Sequence, residues 1–370
     1  MRNLFVLNGA TSMMVADSIM RTTLIGDENI VIIENIDPDF SQVEASVADK
    51  KNVMPGWEFR RAEELVAQIL PSTIRLKTQY STEWPNFRRR PLAYMGEVRC
   101  IVKAAEQVKR QMPARFDRLF YSGNARLQFA LAKCAHRYIR LEHGLGDYMF
   151  LAAKVSLATK LRQLFVSLAA GFLEFLPDEI YLSDGGKCRS IPPSIPGVSH
   201  INPPDVAEQF SRLMMVMDKE EPGLAEYMRA LRARMEDYRE VIIYMPLDRF
   251  PMEEYGHLLD KQLEHMDTAR TLFIVKPHPT DPADYLTLFR ERGLLAEPIE
   301  HPVAGFLPVE LIAASLPRAK LMGAGSSGLF YGKWWLDRTI LYSSVNIEER
   351  IPIYRRINKY FAADIAAFAS

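Results

Sequence analysis

The sequence predicts an α/β protein made of two doubly wound, largely parallel sheets. Two observations carry this. Short apolar runs alternate with amphipathic stretches, the βαβα pattern of a sheet covered by helices on both faces. That alternation stops at "SDGGKCRSIPPSIPGVSHINPPD" (183–205), which is crowded with Gly, Pro and Ser, and then restarts. A length of 370 residues fits two domains of ordinary size.

In the first half, "NLFVLNG" (3–9) reads as a buried strand and "MMVADSIM" (13–20) as the start of a helix. "NIVIIEN" (29–35) is a second strand, followed by the amphipathic "AEELVAQIL" (62–70). An irregular stretch rich in Pro, Arg and aromatic residues (71–95) precedes a long helix through Lys109. "RLFYSG" (118–123) and "YIRLEHG" (138–144) are strands separated by a helix, and a helix around 151–175 leads to "EIYLS" (179–183). In the second half, helix 222–238 leads to strand "VIIYMPL" (241–247), and helix 252–266 to strand "TLFIV" (271–275). Helices 282–292 and 309–316 follow, then strand "AKLMG" (319–323), a helix from Ser327, strand "TILYS" (339–343) and an amphipathic helix near 347–368. The expected division is a Rossmann-like domain at 1–185, a linker at 186–221, a second such domain at 222–346, and a C-terminal helix at 347–370 that reaches back to the first domain. Two such halves suggest a cleft where strand C-terminal ends face a ligand.

Composition excludes several classes. Hydrophobic residues make up 48% and charged residues 25%, and 46 basic side chains balance 46 acidic ones. There is no global pull toward nucleic acid or acidic lipid. Arg88-Arg89-Arg90 adjoins Pro91, and Arg229, Arg232 and Arg234 read as the solvated side of a helix. Cys100, Cys134 and Cys188 are odd in number and far apart, so neither a disulfide framework nor a structural zinc site is expected, and a reducing cytoplasm fits. The N-terminal run is broken by Asn8 and Gly9 and lacks a small-residue cleavage site, so it reads as a strand and not as a signal peptide. The apolar "LFVSLAAGFLEFL" (164–176) carries Glu174 and is too short to span a bilayer.

Four stretches carry candidate chemistry. "FIVKPHPTD" (273–281) ends a strand on Lys276, Pro277, His278 and Pro279; two prolines stop the ladder and stiffen the backbone around one imidazole, or simply form a turn. "MGAGSSGLF" (322–330) places Gly325, Ser326 and Ser327 at a helix start, which suits a phosphate, or a plain N-cap. Its glycines also match G-x-G-x-x-G with Glu348 about twenty residues on, but too little chain follows for a dinucleotide domain. "FLPVELIAA" (306–314) opens a helix with Pro308 and Glu310, where the carboxylate complements the helix dipole or accepts two sugar hydroxyls. "RLEHGLGDY" (140–148) ends a strand in Glu142, His143 and Gly144, a tight turn or a base beside a close-approach glycine. "YSGNARL" (121–127) adds Ser122 and Asn124. Asp37-Pro38-Asp39, the one Asp-x-Asp match, reads as an acidic turn and not as a metal site.

In this order the pieces resemble the bacterial sialyltransferases of GT-B fold, in particular capsular polysialyltransferases and lipooligosaccharide sialyltransferases. Glu142-His143-Gly144 stands in the slot of that family's acidic "D/E-D/E-G" motif, His278-Pro279 in its "HP" motif, and Ser326-Ser327 in its Ser/Thr pair. Pro308-Val309-Glu310 resembles the segment whose glutamate holds the donor ribose. The chain departs from the pattern at His143, where the family has a second carboxylate.

The resemblance implies a GT-B enzyme whose two Rossmann-like domains face each other across a cleft. It also implies inverting transfer of a sialic or related nonulosonic acid from a CMP-activated donor to a glycan acceptor in bacterial surface polysaccharide synthesis. Glu142 is then the expected base and His278 the expected acid. Lys276, Pro279, Pro308, Glu310, Gly325, Ser326 and Ser327 are expected around the donor nucleotide, and Asn8, Gly9, Ser122, Asn124, His143 and Gly144 on the substrate side. No cofactor, metal or nucleic-acid partner is expected. The expected location is the cytoplasm, free or peripheral to the inner membrane through the acceptor or an assembly complex. Transfer from CMP-Kdo or a UDP-sugar, and non-catalytic nucleotide or glycan binding, are the rival readings.

Overall fold

The computed structural model describes residues 1–7, 9–37, 55–70, 75–81, 106, 109–110, 115–122, 127–131, 134–152, 177–192, 194–246, 252–264, 266–278, 284–343 and 352–368. The chain divides into two compact units. The first holds residues 1–45, 70–183 and 193–202, and the second 46–69, 184–192 and 203–370.

The first unit is a seven-stranded parallel sheet in the order β3-β2-β1-β4-β5-β6-β7. Its strands are β1 (Arg2–Leu7), β2 (Glu28–Asp37), β3 (Arg75–Ser81), β4 (Phe116–Ser122), β5 (Ala135–Leu141), β6 (Glu179–Leu182) and β7 (Val198–His200). Helices α1 (Ala10–Thr22), α3 (Leu127–Leu131) and α4 (Leu145–Ala152) accompany them. Leu4, Phe5, Val6 and Leu7 are fully buried, as a central parallel strand covered on both faces requires. Phe5 stacks on Phe120 of the neighbouring β4 at 4.5 Å between ring centroids.

The second unit is a five-stranded parallel sheet in the order β10-β9-β8-β11-β12. It comprises β8 (Glu240–Met245), β9 (Thr271–Val275), β10 (Leu295–Pro298), β11 (Lys320–Gly323) and β12 (Ile340–Tyr342). Around it lie α2 (Pro55–Gln68), α5 (Val206–Glu220), α6 (Pro222–Met235), α7 (Met252–Leu263), α8 (Tyr285–Glu291), α9 (Pro302–Phe306), α10 (Val309–Ser315), α11 (Ser327–Leu336), α12 (Pro352–Tyr360) and α13 (Ala362–Phe368). A core of Ile242, Tyr244, Phe273, Val275, Tyr255 and Phe289 fills one face.

The fold class is therefore the predicted one, an α/β chain of two parallel, doubly wound sheets. Each strand order reverses direction once, between β1 and β4 and between β8 and β11. In open parallel sheets such reversals are where ligands bind, outside the strand C-terminal ends.

Several elements differ from expectation. The irregular stretch at 71–95 contains β3, and the expected linker contains β7 and the fifteen-residue α5. Helix α2 lies in the first half of the sequence but belongs to the second unit. There Arg61 Nε bonds Glu221 Oε2 at 3.0 Å and Arg61 Nη2 donates to the Glu220 carbonyl at 2.7 Å. The C-terminal segment, expected as one helix that reaches back to the first domain, forms two helices among the described residues. Its described anchor is in the second unit. Asp364 is buried on α13 and accepts from the backbone N–H of Arg189 (3.0 Å) and Ser190 (2.9 Å) and from Trp334 Nε1 (3.3 Å). The expected helices through Lys109 and at 151–175, and the apolar 164–176 segment, lie largely outside the described residues, as do Arg88-Arg89-Arg90, Cys100, Pro38 and Asp39. No helix among the described residues is long and apolar enough to cross a membrane.

Candidate functional site

In the first unit, Gly9, Ser122, Glu142, His143 and Ser183 follow or close β1, β4, β5 and β6, so the parallel sheet brings them to one edge. Glu142 is completely buried. Its Oε2 accepts from the Tyr148 hydroxyl at 2.5 Å and from the Ser183 backbone N–H at 2.8 Å. Its Oε1 accepts from the Ser183 hydroxyl. Burial pushes this carboxyl up to about 7, against the pull of the Ser183 and Tyr148 hydrogen bonds.

His143, the next residue, is exposed. Its backbone N–H is held by Asp147 Oδ2 at 2.7 Å, and Asp147 is also ion-paired with Arg140. The imidazole lies over Gly9: a Cβ at position 9 would stand 3.3 Å from His143 Cε1. Gly9 has φ 87, a conformation that L side chains avoid, and it caps α1 without a side-chain bond. Gly144 follows with φ 129 and opens α4. Ser122 is buried. Asn8 and Asn124 lie outside the described residues.

In the second unit the edge residues come from β9 and β11, which flank β8. At the usual strand spacing of about 4.8 Å, the ends of β9 and β11 stand roughly 10 Å apart. Lys276 closes β9, its N–H bonding the Tyr244 carbonyl of β8 at 2.9 Å. Its side chain is buried and Nζ donates to the Gly305 carbonyl at 3.1 Å. Burial pulls this lysine down to about 8, opposed by the charge of Glu310. Glu310, in the first turn of α10, is buried as well, and burial raises its carboxyl against its own backbone N–H and Lys276. His278 is exposed two residues beyond Lys276, while Pro279 lies outside the described residues. Pro308 is the N-cap of α10 and half-buried.

At the end of β11, Ser326 is the N-cap of α11, its Oγ accepting from the Gly328 N–H at 3.3 Å and lying 3.7 Å from Met245 Sδ of β8. Ser327 is exposed at the first helical position. Gly325 has φ 65, and a Cβ there would run into the Tyr354 ring of α12. Helix α12 thus packs on the turn that presents Ser326 and Ser327.

The structure brings Lys276, His278, Glu310, Ser326 and Ser327 to one unit, and Gly9, Ser122, Glu142 and His143 to the other. Sequence reasoning missed the roles of Tyr148, Ser183, Tyr354 and Asp364. Tyr148 stands six residues from Glu142, near one helical turn beyond the strand, and that spacing was a usable signal; Ser183 is 41 residues away and gave none. Among the described residues, no group of three or more His, Cys, Asp or Glu side chains is placed to hold a metal ion.

No family model matches the chain, and no curated protein matches it. Solved structures it is similar to include CalG4, the calicheamicin glycosyltransferase, at 12% identity and a TM-score of 0.40 over 99% of this chain and 98% of that one. The wall teichoic acid polymerase TagF is similar at 11% identity and a TM-score of 0.42, over 97% of this chain and 73% of that one. The UDP-GlcNAc 2-epimerase from Neisseria meningitidis is similar at 12% identity and a TM-score of 0.42, over 89% and 79%. At such scores these likenesses carry no argument, and the fold class rests on the strand orders.

Proposed function

We propose that the chain is an inverting glycosyltransferase of GT-B type that moves a sialic or related nonulosonic acid from a CMP-activated donor to a glycan acceptor in bacterial surface polysaccharide synthesis. One observation supports the reading: His278 and Ser326-Ser327, separate in sequence, follow β9 and β11, which flank β8 in one parallel sheet, and Glu310 of the same unit lies close enough to Lys276 at the end of β9 for their charges to interact. The reading places the enzyme in the cytoplasm, free or peripheral to the inner membrane through its acceptor or an assembly complex.

In this reading the α11 N-terminus, with Ser326 and Ser327, stabilises charge that develops on the departing phosphate. His278, exposed at the end of β9, donates a proton or a strong hydrogen bond to the same group; an imidazole that titrates near neutrality suits that exchange. Glu310 fixes the ribose, and Lys276 neutralises or orients the nucleotide. The acceptor is activated at the end of β5, where Glu142 and His143 stand side by side. The scheme assigns no step to a metal ion, and transfer is expected to survive EDTA.

The phosphate-facing groups do not read the base, so a UDP-sugar or CMP-Kdo would engage them equally well. Thermal-shift ranking of CMP, UDP and GDP separates a CMP donor from a UDP-sugar, because a ligand that binds only the native state raises its stability by mass action, and CMP release from CMP-Kdo against CMP-sialate separates the two CMP donors. CMP is expected to stabilise most. A nucleotide-binding protein without activity would bind CMP and leave CMP-sialate intact. His278→Ala is expected to lower transfer by roughly 10²-fold or more.

A further inference from the structure

We propose that the base which activates the acceptor hydroxyl is His143 and that Glu142 is a positioning residue; the inference rests on the glycosyl-transfer reading above. The two residues sit at one strand end but differ in what they can reach. Glu142 has no solvent exposure, and both its oxygens are engaged by Tyr148 and Ser183. A base must come within hydrogen-bond reach of the proton it removes, directly or through one water. A carboxylate enclosed by three donors offers no such approach. His143 is exposed, one residue further along the same turn.

The turn is built to hold that imidazole. The backbone N–H of His143 is tied to Asp147, which Arg140 fixes in turn. The ring packs over Gly9, at the β1–α1 junction beside the switch point where such sheets take ligands. Glu142 secures the floor: it ties the end of β5 to Ser183 at the end of β6 and to Tyr148 of α4. In the step itself, the acceptor oxygen forms its bond to the anomeric carbon as its proton passes to a ring nitrogen of His143. The bond from that carbon to the phosphate oxygen breaks, and its electron pair leaves with CMP. The imidazolium returns its proton to solvent.

Two substitutions separate the roles. In Glu142→Gln the amide oxygen can take the Oε2 place, accepting from Tyr148 and Ser183 N–H, while the amide nitrogen donates to the Ser183 hydroxyl. The network survives without a base. Transfer is measured with the activated sugar of whichever nucleotide stabilises the protein most, so that failure of the CMP assignment shows in the ranking and not in this test. His143→Ala is expected to lose roughly 10²-fold or more in transfer, to keep the nucleotide-induced thermal shift, and to regain activity with added imidazole. Glu142→Gln is expected to recover much of the transfer that Glu142→Ala loses, the rescue by the conservative variant that a positioning role predicts and a base does not. Near-native transfer by His143→Ala, a collapse in Glu142→Gln, or no transfer from any of the donors would overturn the assignment.

Discussion

Ser183 donates both its backbone N–H and its hydroxyl to the carboxylate of Glu142, across 41 residues of sequence and inside a fully buried pocket. This joins the ends of β5 and β6 through one side chain, and it places an ionisable group where its charge is costly.

That cost is readable as a pH dependence. Burial sets the Glu142 carboxyl at about 7 in the folded chain, against about 4.3 when unfolded. Below the lower value both states are protonated and no penalty exists. Between the two the unfolded chain ionises first, so stability falls as pH rises, by roughly 4 kcal/mol in all for this group. Glu63, raised to about 7 by burial on α2, adds a fall over the same window. Urea midpoints at pH 5 and pH 8 are expected to show the decrease in wild type and a smaller one in Glu142→Gln.

Lys276 gives the opposite sign. Its folded value of about 8 lies below the unfolded value of about 10.4. The folded chain releases the proton first, so its contribution makes stability rise with pH between those values. Lys276→Met is expected to flatten that rise and to weaken the thermal shift with CMP, because Glu310 loses the charge that opposes its burial.

The turn before α11 is tested at Gly325. An alanine there would have to hold φ near 65 and displace Tyr354. We expect Gly325→Ala to cost a few kcal/mol of stability and to abolish nucleotide stabilisation. Ser326→Ala is milder, losing about 1 kcal/mol as an N-cap. Chemical denaturation with and without CMP measures both.

Asp364 anchors the 188–190 segment to α13. Removing its carboxylate in Asp364→Ala takes an acceptor from the N–H groups of Arg189 and Ser190 and from the buried Trp334 indole, and a buried donor that loses its acceptor costs about 1–3 kcal/mol. A stability loss of several kcal/mol in urea titration is expected, while Asp364→Asn retains part of it.

Much of this fold was legible because its strands are buried on both faces. Leu4–Leu7 and Leu272–Val275 are continuous apolar runs, and such runs announce a parallel sheet regardless of partners. Strand β3, "RLKTQYS", reads as polar and irregular because its pairing with β2 supplies what its own residues do not. The capture of α2 by the second unit, through Arg61 and Glu221, joins positions 160 residues apart, which no local pattern encodes. The candidate site divides the same way. Its motifs were visible because strand ends in such sheets gather ligand-facing residues, but the enclosure of Glu142 depends on Ser183, in a segment that reads as a loop.

The central claim is tested most directly by CMP release from a panel of CMP-activated nonulosonates, with and without candidate glycan acceptors and in the presence of EDTA. Acceptor-dependent release, with inversion at the anomeric carbon of the product and roughly 10²-fold loss in His278→Ala, is the expected result. Intact CMP donors beside turnover of a UDP-sugar, or full activity in His278→Ala, would contradict it.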